Sequence, residues 1–130
     1  MAHVIVEYTD NIGGEANLPT LLQTINDTLI AQTGVFPIGG IRSRALALTD
    51  YRMADGAADY AFVHVTFKIG AGRDAATKKR VCDALFDAIK AHFADLYAKR
   101  LLALSMELYE FDEGGTYKHN NVHGRFRKAN

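Results

Sequence analysis

Residues 59–76 read DYAFVHVTFKIGAGRDAA. From Tyr60 the side chains alternate: Ala61, Val63, Val65 and Phe67 fall on one side of an extended chain. Tyr60, Phe62, His64 and Thr66 fall on the other, and large apolar groups on both sides predict a central, doubly covered strand. Gly70 to Asp74 then turns the chain, with Asp74 placed to cap a helix. Val81, Leu85, Ala88, Ile89, His92 and Leu96 recur at helical spacing, flanked by Cys82, Phe86, Phe93 and Tyr97. They predict one long helix closing at Lys99-Arg100, basic residues suited to a helix C-terminus. Residues 101–112 form a second strand, stopped by Glu113-Gly114-Gly115. The stretch therefore opens a strand–helix–strand unit of the length a parallel crossover needs.

The N-terminal half follows the same plan. HVIVEYT (3–9) alternates, Val4, Val6 and Tyr8 against His3, Ile5 and Glu7. After a Gly-rich turn, Asn17 is the expected N-cap, with Pro19 in the first turn and Leu18, Leu21, Leu22, Ile25 and Leu29 at helical spacing. The glycines and proline of residues 33–40 end that helix, and SRALALTDYR (43–52) is the next strand. The halves share wording: RALALTDYRMADG (44–56) against RLLALSMELYEFDEGG (100–115). The expected fold is α/β (α+β), a single domain over 1–130 with pseudo-repeats at 2–56 and 59–113 and a tail at 114–130. Two such units give a four-stranded sheet with two helices on one face. Ile5 and Phe62 are left on the other face, for which a second copy of the chain is the economical cover. Tyr117, Val122 and Phe126 of the tail are expected to dock on that neighbour.

The chain has 130 residues, 48% of them hydrophobic, which suffices for one core. Fifteen basic residues balance fifteen acidic ones, so no global field draws the chain to nucleic acid or to a membrane surface. A highly charged ligand would need local basic groups. One cysteine excludes an internal disulfide framework and suits a reducing compartment. With neither a signal-like start nor a membrane-length apolar run, the expected location is the cytoplasm.

KIGAGRDAA (68–76) has the outline of a dinucleotide fingerprint, but the helix is too long for a compact unit and no acidic residue ends a second strand at the required distance. A tight turn is the better reading; free N–H groups at the helix start beside Arg73 would make an anion site. Arg42 and Arg44 share a face if their strand has begun, as substrate contacts or as solvated edge residues. His64, among apolar neighbours, reads as a hydrogen-bonded core histidine. His119 and His123 have a metal-compatible spacing without an evident third ligand. Cys82 reads as packing.

Five strings, GVFPIGGIRSR, YRMADG, DYAFVHVTFKIGAGR, RLLALS and NNVH, resemble the 5-carboxymethyl-2-hydroxymuconate Δ-isomerase family of the tautomerase superfamily, in order along nearly the whole chain. The resemblance implies a homotrimer of βαβ duplications with no metal or cofactor. Its substrate is a di- or tricarboxylate dienol, isomerised to the conjugated ketone in aromatic-acid degradation. The base is an N-terminal proline amine, exposed by removal of the initiator methionine. Carried over, the catalytic positions are Ala2, Arg42 and Arg73, with Phe36 joining the two arginines in substrate binding. Here the chain begins Met1-Ala2, so removal of Met1 would leave a primary amine where the family has a secondary one, and with Met1 in place the free amine stands one residue too early. The alternative is an anion-binding relative, weak or inactive for want of the proline base.

Overall fold

A computed structural model describes residues 1–127. Strands β1 (Ala2–Thr9), β2 (Ile41–Leu48), β3 (Tyr60–Gly70) and β4 (Leu101–Phe111) form one sheet in the order β2-β1-β3-β4. β1 runs parallel to β2 and antiparallel to β3, and β3 runs parallel to β4. Helix α1 (Leu18–Ile30) links the first parallel pair; α2 (Ala75–His92) and α3 (Ala94–Lys99) link the second. The α+β duplication expected from the sequence is therefore the observed architecture.

The alternation sorts the strands as read. Val4 and Val6 of β1 and Val63, Val65, Phe67 and Ile69 of β3 are all but sealed from solvent. So are Leu21, Ile25 and Leu29 of α1 and Val81, Leu85 and Ile89 of α2, which complete the same core. Each such side chain contributes roughly 1.5–3 kcal/mol by leaving water. On the opposite face Ile5 and Phe62 are only half-buried, and Leu46 and Leu101 are exposed.

Four local expectations change. β2 begins at Ile41, not Ser43, because its pairing with β1 already starts at Ala2↔Ile41; it ends at Leu48. The long second helix is two: Phe93 (φ −95°, ψ 8°) breaks it while burying its ring in the core, edge-on to His92 at 4.8 Å. Core burial of one large ring outweighs helical continuity there. Asn17 stands at the N-cap of α1 but in the left-handed region (φ 48°), and its side chain caps nothing. Asp74 does cap α2, accepting from Thr77 N at 2.7 Å. His64 lies on the half-covered face, not in the core: its Nδ1 faces Ser105 Oγ at 2.7 Å and its Nε2 faces Glu107 Oε1 at 3.1 Å.

The tail folds back. A single helical turn, Val122–Phe126, packs on the turn Ile38–Gly40 that precedes β2. Asn120 Nδ2 donates to Gly39 O at 2.9 Å. A Cβ on Gly39 would stand 2.9 Å from His123 N, so only glycine allows this approach. Tyr117, Val122 and Phe126 are exposed in the single chain. Residues 128–130 of the expected tail lie outside the described residues.

Candidate active site at the N-terminus

The start of β1 lies between the start of β2 and the end of β3, with Ala2 opposite Ile41 on one side and Ile69 on the other. Ala2 is fully buried, so the strand pins the backbone nitrogen of residue 2. Gly40 passes close by: a Cβ there would lie 3.3 Å from Met1 Cα.

Two cavities flank Met1. One, of about 280 Å³, is lined by Met1, Pro37, Gly40, Arg42 and the tail residues Tyr117, Lys118, His119, Asn120 and His123. The other, of about 390 Å³, is lined by Met1, His3, Arg42, Lys68, Phe111 and residues 115–117. Met1, Arg42 and Tyr117 border both. Met1 Sδ lies 2.8 Å from His3 Nε2.

The electrostatics of this end favour anions. Burial first, then the charges of Arg73, Lys118 and Arg42, push the Met1 amine below its ordinary pKa, against the opposing effect of Glu113. His3 is likewise pushed down, by burial and then by Arg44, Arg42, Lys68 and the terminal amine. Arg44 Nη1 lies 3.2 Å from His3 Nδ1, and a guanidinium can only donate. The neutral imidazole therefore accepts at Nδ1 and carries its proton on Nε2. Glu113 is held low by its 3.0 Å bond to Lys118.

The residues expected from the sequence reach this end by different routes. Arg42 lines both cavities, and Arg44 shares its face of β2 but turns to His3. Arg73 does not turn toward the start of α2. Its Nε and Nη2 donate to Val35 O at 3.1 and 2.9 Å, its Nη1 donates to Gly70 O at 2.9 Å, and it stacks 4.6 Å over the Phe36 ring. Phe36 is buried, edge-on to Phe67 at 6.0 Å. Arg73 thus acts on the amine through its charge while bracing the 35–36 loop. The turn before α2 carries Gly72 at φ +122°, a conformation that favours glycine. His119 and His123 both line the smaller cavity. Among the described residues no group of three His, Cys, Asp or Glu is placed to hold a metal.

Lys68 and the wall formed by 117–123 are not evident in the sequence. Alternation puts Lys68 on the face of His64, yet only the β1–β3 register sets it beside His3.

The fold that carries this cationic cleft recurs in solved structures. At 15% identity and a TM-score of 0.63, a fused 4-OT symmetric trimer shares it over 90% of this chain and 93% of its own. The family model for 5-carboxymethyl-2-hydroxymuconate isomerase matches residues 2–126. A 5-carboxymethyl-2-hydroxymuconate Delta-isomerase of Escherichia coli is 50% identical, covering 98% of this chain and 100% of the relative. The crystal structure of a 5-carboxymethyl-2-hydroxymuconate isomerase from Deinococcus radiodurans R1 superposes with a TM-score of 0.93 at 48% identity, over 98% of this chain and 95% of that one. The chain belongs to the 5-carboxymethyl-2-hydroxymuconate isomerase family.

Proposed function

We propose that this protein is a cofactor-independent isomerase that converts a 2-hydroxymuconate-type dienol carboxylate, 5-carboxymethyl-2-hydroxymuconate in particular, to its conjugated ketone in aromatic-acid degradation. The observation that supports the mechanism is that β1 holds residue 2 in place, Ala2 being fully buried between Ile41 and Ile69, at an end where burial and the charges of Arg73, Lys118 and Arg42 already lower the amine one residue before it. A base poised near working pH is both free and strong enough to move a proton.

With Met1 removed, the Ala2 amine takes the enol hydroxyl proton. The electron pair moves along the conjugated chain, and the ammonium returns a proton to a carbon further along, leaving a C=O. No electrons enter or leave. Arg42 binds a substrate carboxylate, as a guanidinium on two parallel bonds holds a planar ligand in place. Arg73, braced on Val35, Gly70 and Phe36, contributes through its charge, which favours the negative charge that develops on the substrate.

The domain works as a homotrimer in the cytoplasm on this reading. The support is the half-covered sheet face with Ile5 and Phe62, together with exposed Leu46, Leu101 and Tyr117. A sedimentation run should show a trimer at micromolar concentration; a stable monomer would contradict it.

The test of the mechanism is an ultraviolet assay of dienol-to-enone conversion on three proteins of verified intact mass. The chain without Met1 should turn over slowly, and its Ala2→Pro variant faster, since the ring fixes φ and pre-orients the lone pair. The chain that keeps Met1 should be nearly inactive. Full turnover with Met1 in place would sink the terminal-amine mechanism.

A further inference from the structure

The register sets three residues in one row across the half-covered face. His3 is opposite Arg42 of β2 on one side and opposite Lys68 of β3 on the other. In a sheet such neighbours lie on the same face with Cβ atoms within contact range of long side chains. The row holds two permanent cations flanking an imidazole. Among the described residues neither Arg42 nor Lys68 makes an ion pair or a side-chain hydrogen bond, although Lys118, which lines a cavity with Arg42, is paired with Glu113. Unpaired cations in a shared cleft favour an anionic ligand.

His3 contributes more than a spacer. With Nδ1 occupied by Arg44, its Nε2–H is the donor left to the cleft, and Met1 Sδ now receives it. Sulfur is a weak acceptor, and a carboxylate oxygen would be a far better one. Arg42 already borders the cavity of His3 and Lys68 as well as that of the tail, and Met1 lines both. Loss of Met1 would enlarge the shared space and free the His3 donor. Arg42 and Lys68 stand two strand spacings apart, roughly 10 Å between backbones, a span their side chains shorten.

We propose that Lys68 and the His3 Nε2–H form a second carboxylate subsite, which shares one elongated cleft with the Arg42 site and is freed when Met1 is removed. The cleft then selects substrates with a carboxylate at each end. The inference rests on the proposed role of Arg42 and adds a second anchor to it. Arg44 is a positioning residue here, holding the His3 tautomer.

The test is calorimetric titration of the Met1-free protein with adipate and with hexanoate, acids that differ in a terminal carboxylate against a methyl group. Adipate should bind about tenfold tighter or more, the gain of one charge-assisted contact. Lys68→Met should abolish that preference while leaving hexanoate affinity unchanged, and Lys68→Arg should keep it. The Met1-retaining protein should show no preference. Equal affinity for both acids in the Met1-free protein, or an equal loss for both in Lys68→Met, would overturn the subsite. Arg42→Ala separates the two readings: it should weaken hexanoate as well as adipate. Unchanged hexanoate binding there would remove the Arg42 assignment, while a lost adipate preference in Lys68→Met would still uphold Lys68.

Discussion

Antiparallel pairing of β1 with β3 gives the sheet two ends that carry the same kinds of residue and treat them oppositely. At the far end Arg100 is nearly enclosed, its side chain 16% exposed, and both of its terminal nitrogens are engaged. It donates to Asn11 O at 3.0 Å, to Glu15 Oε1 at 2.7 Å and to Asp59 Oδ2 at 2.9 Å. Asn11 ties in Asp59 and Tyr60 O as well. At the N-terminal end Arg42 borders two cavities and is exposed, beside an exposed Lys68. One end uses guanidinium to close the fold; the other leaves it available. Charge alone does not distinguish a binding arginine from a structural one. The distinction lies in whether its donors are already taken.

Arg42→Ala gives the largest expected effect. It should weaken a dicarboxylate analogue by about 2–3 kcal/mol, the worth of a charge-assisted contact, with no fall in melting temperature. Calorimetry and a thermal melt read the two quantities separately. Arg73→Ala is the mixed case: binding and stability should both drop, because its bonds to Val35 and Gly70 go with it.

Arg100→Ala should do the converse, costing about 1.5–2 kcal/mol in urea unfolding and leaving ligand affinity unchanged. A matching loss of affinity would show that the two ends are coupled, and the contrast would fail.

Helix starts sharpen it further. Asp74→Ala removes a formed cap and should cost about 1 kcal/mol. Asn17→Gly should be close to neutral or slightly stabilising, since Asn17 already stands at φ 48° and bonds nothing with its side chain.

The smallest effect is on pH dependence. The terminal amine and His3 have folded pKa values below their ordinary 8.0 and 6.5. Between folded and unfolded values the unfolded chain holds more protons, so stability rises with pH there and declines as pH falls from about 8 through about 6. Asp55, at the far end, has its carboxyl lowered by the Ala57 N–H and then by Tyr60. Its contribution is present above the ordinary carboxylate value and is lost only as pH falls below about 4. Arg44→Ala should flatten the near-neutral slope and leave the acid limb alone, as urea midpoints across pH would show.

The fold was legible because it rests on local periodicity. Alternation in β1 and β3 and the spacing of Leu21, Ile25 and Leu29 or Val81, Leu85 and Ile89 are set by backbone geometry, and burial followed them. Arg42 was legible as a candidate, through its place in a recognisable string. Less was legible where a distant contact outweighs a local preference. Phe93 breaks a helix to fill the core, and β2 starts early because β1 extends to Ala2. His64 joins a polar network on the half-covered face because Ser105 and Glu107 flank it from β4.

The amino-acid order by itself determined the duplicated α+β plan, the cap at Asp74 and the inward faces of the strands. These depend on neighbours three or four positions away at most, or on alternation. Tertiary structure alone decided that Arg73 spends its donors on Val35 and Gly70, that the tail walls the cleft through Gly39, and that His3 stands between Arg42 and Lys68. The reason is register: a shift of two residues in strand pairing keeps every inward face yet moves His3 away from Arg42 and Lys68, so alternation alone leaves the alignment open.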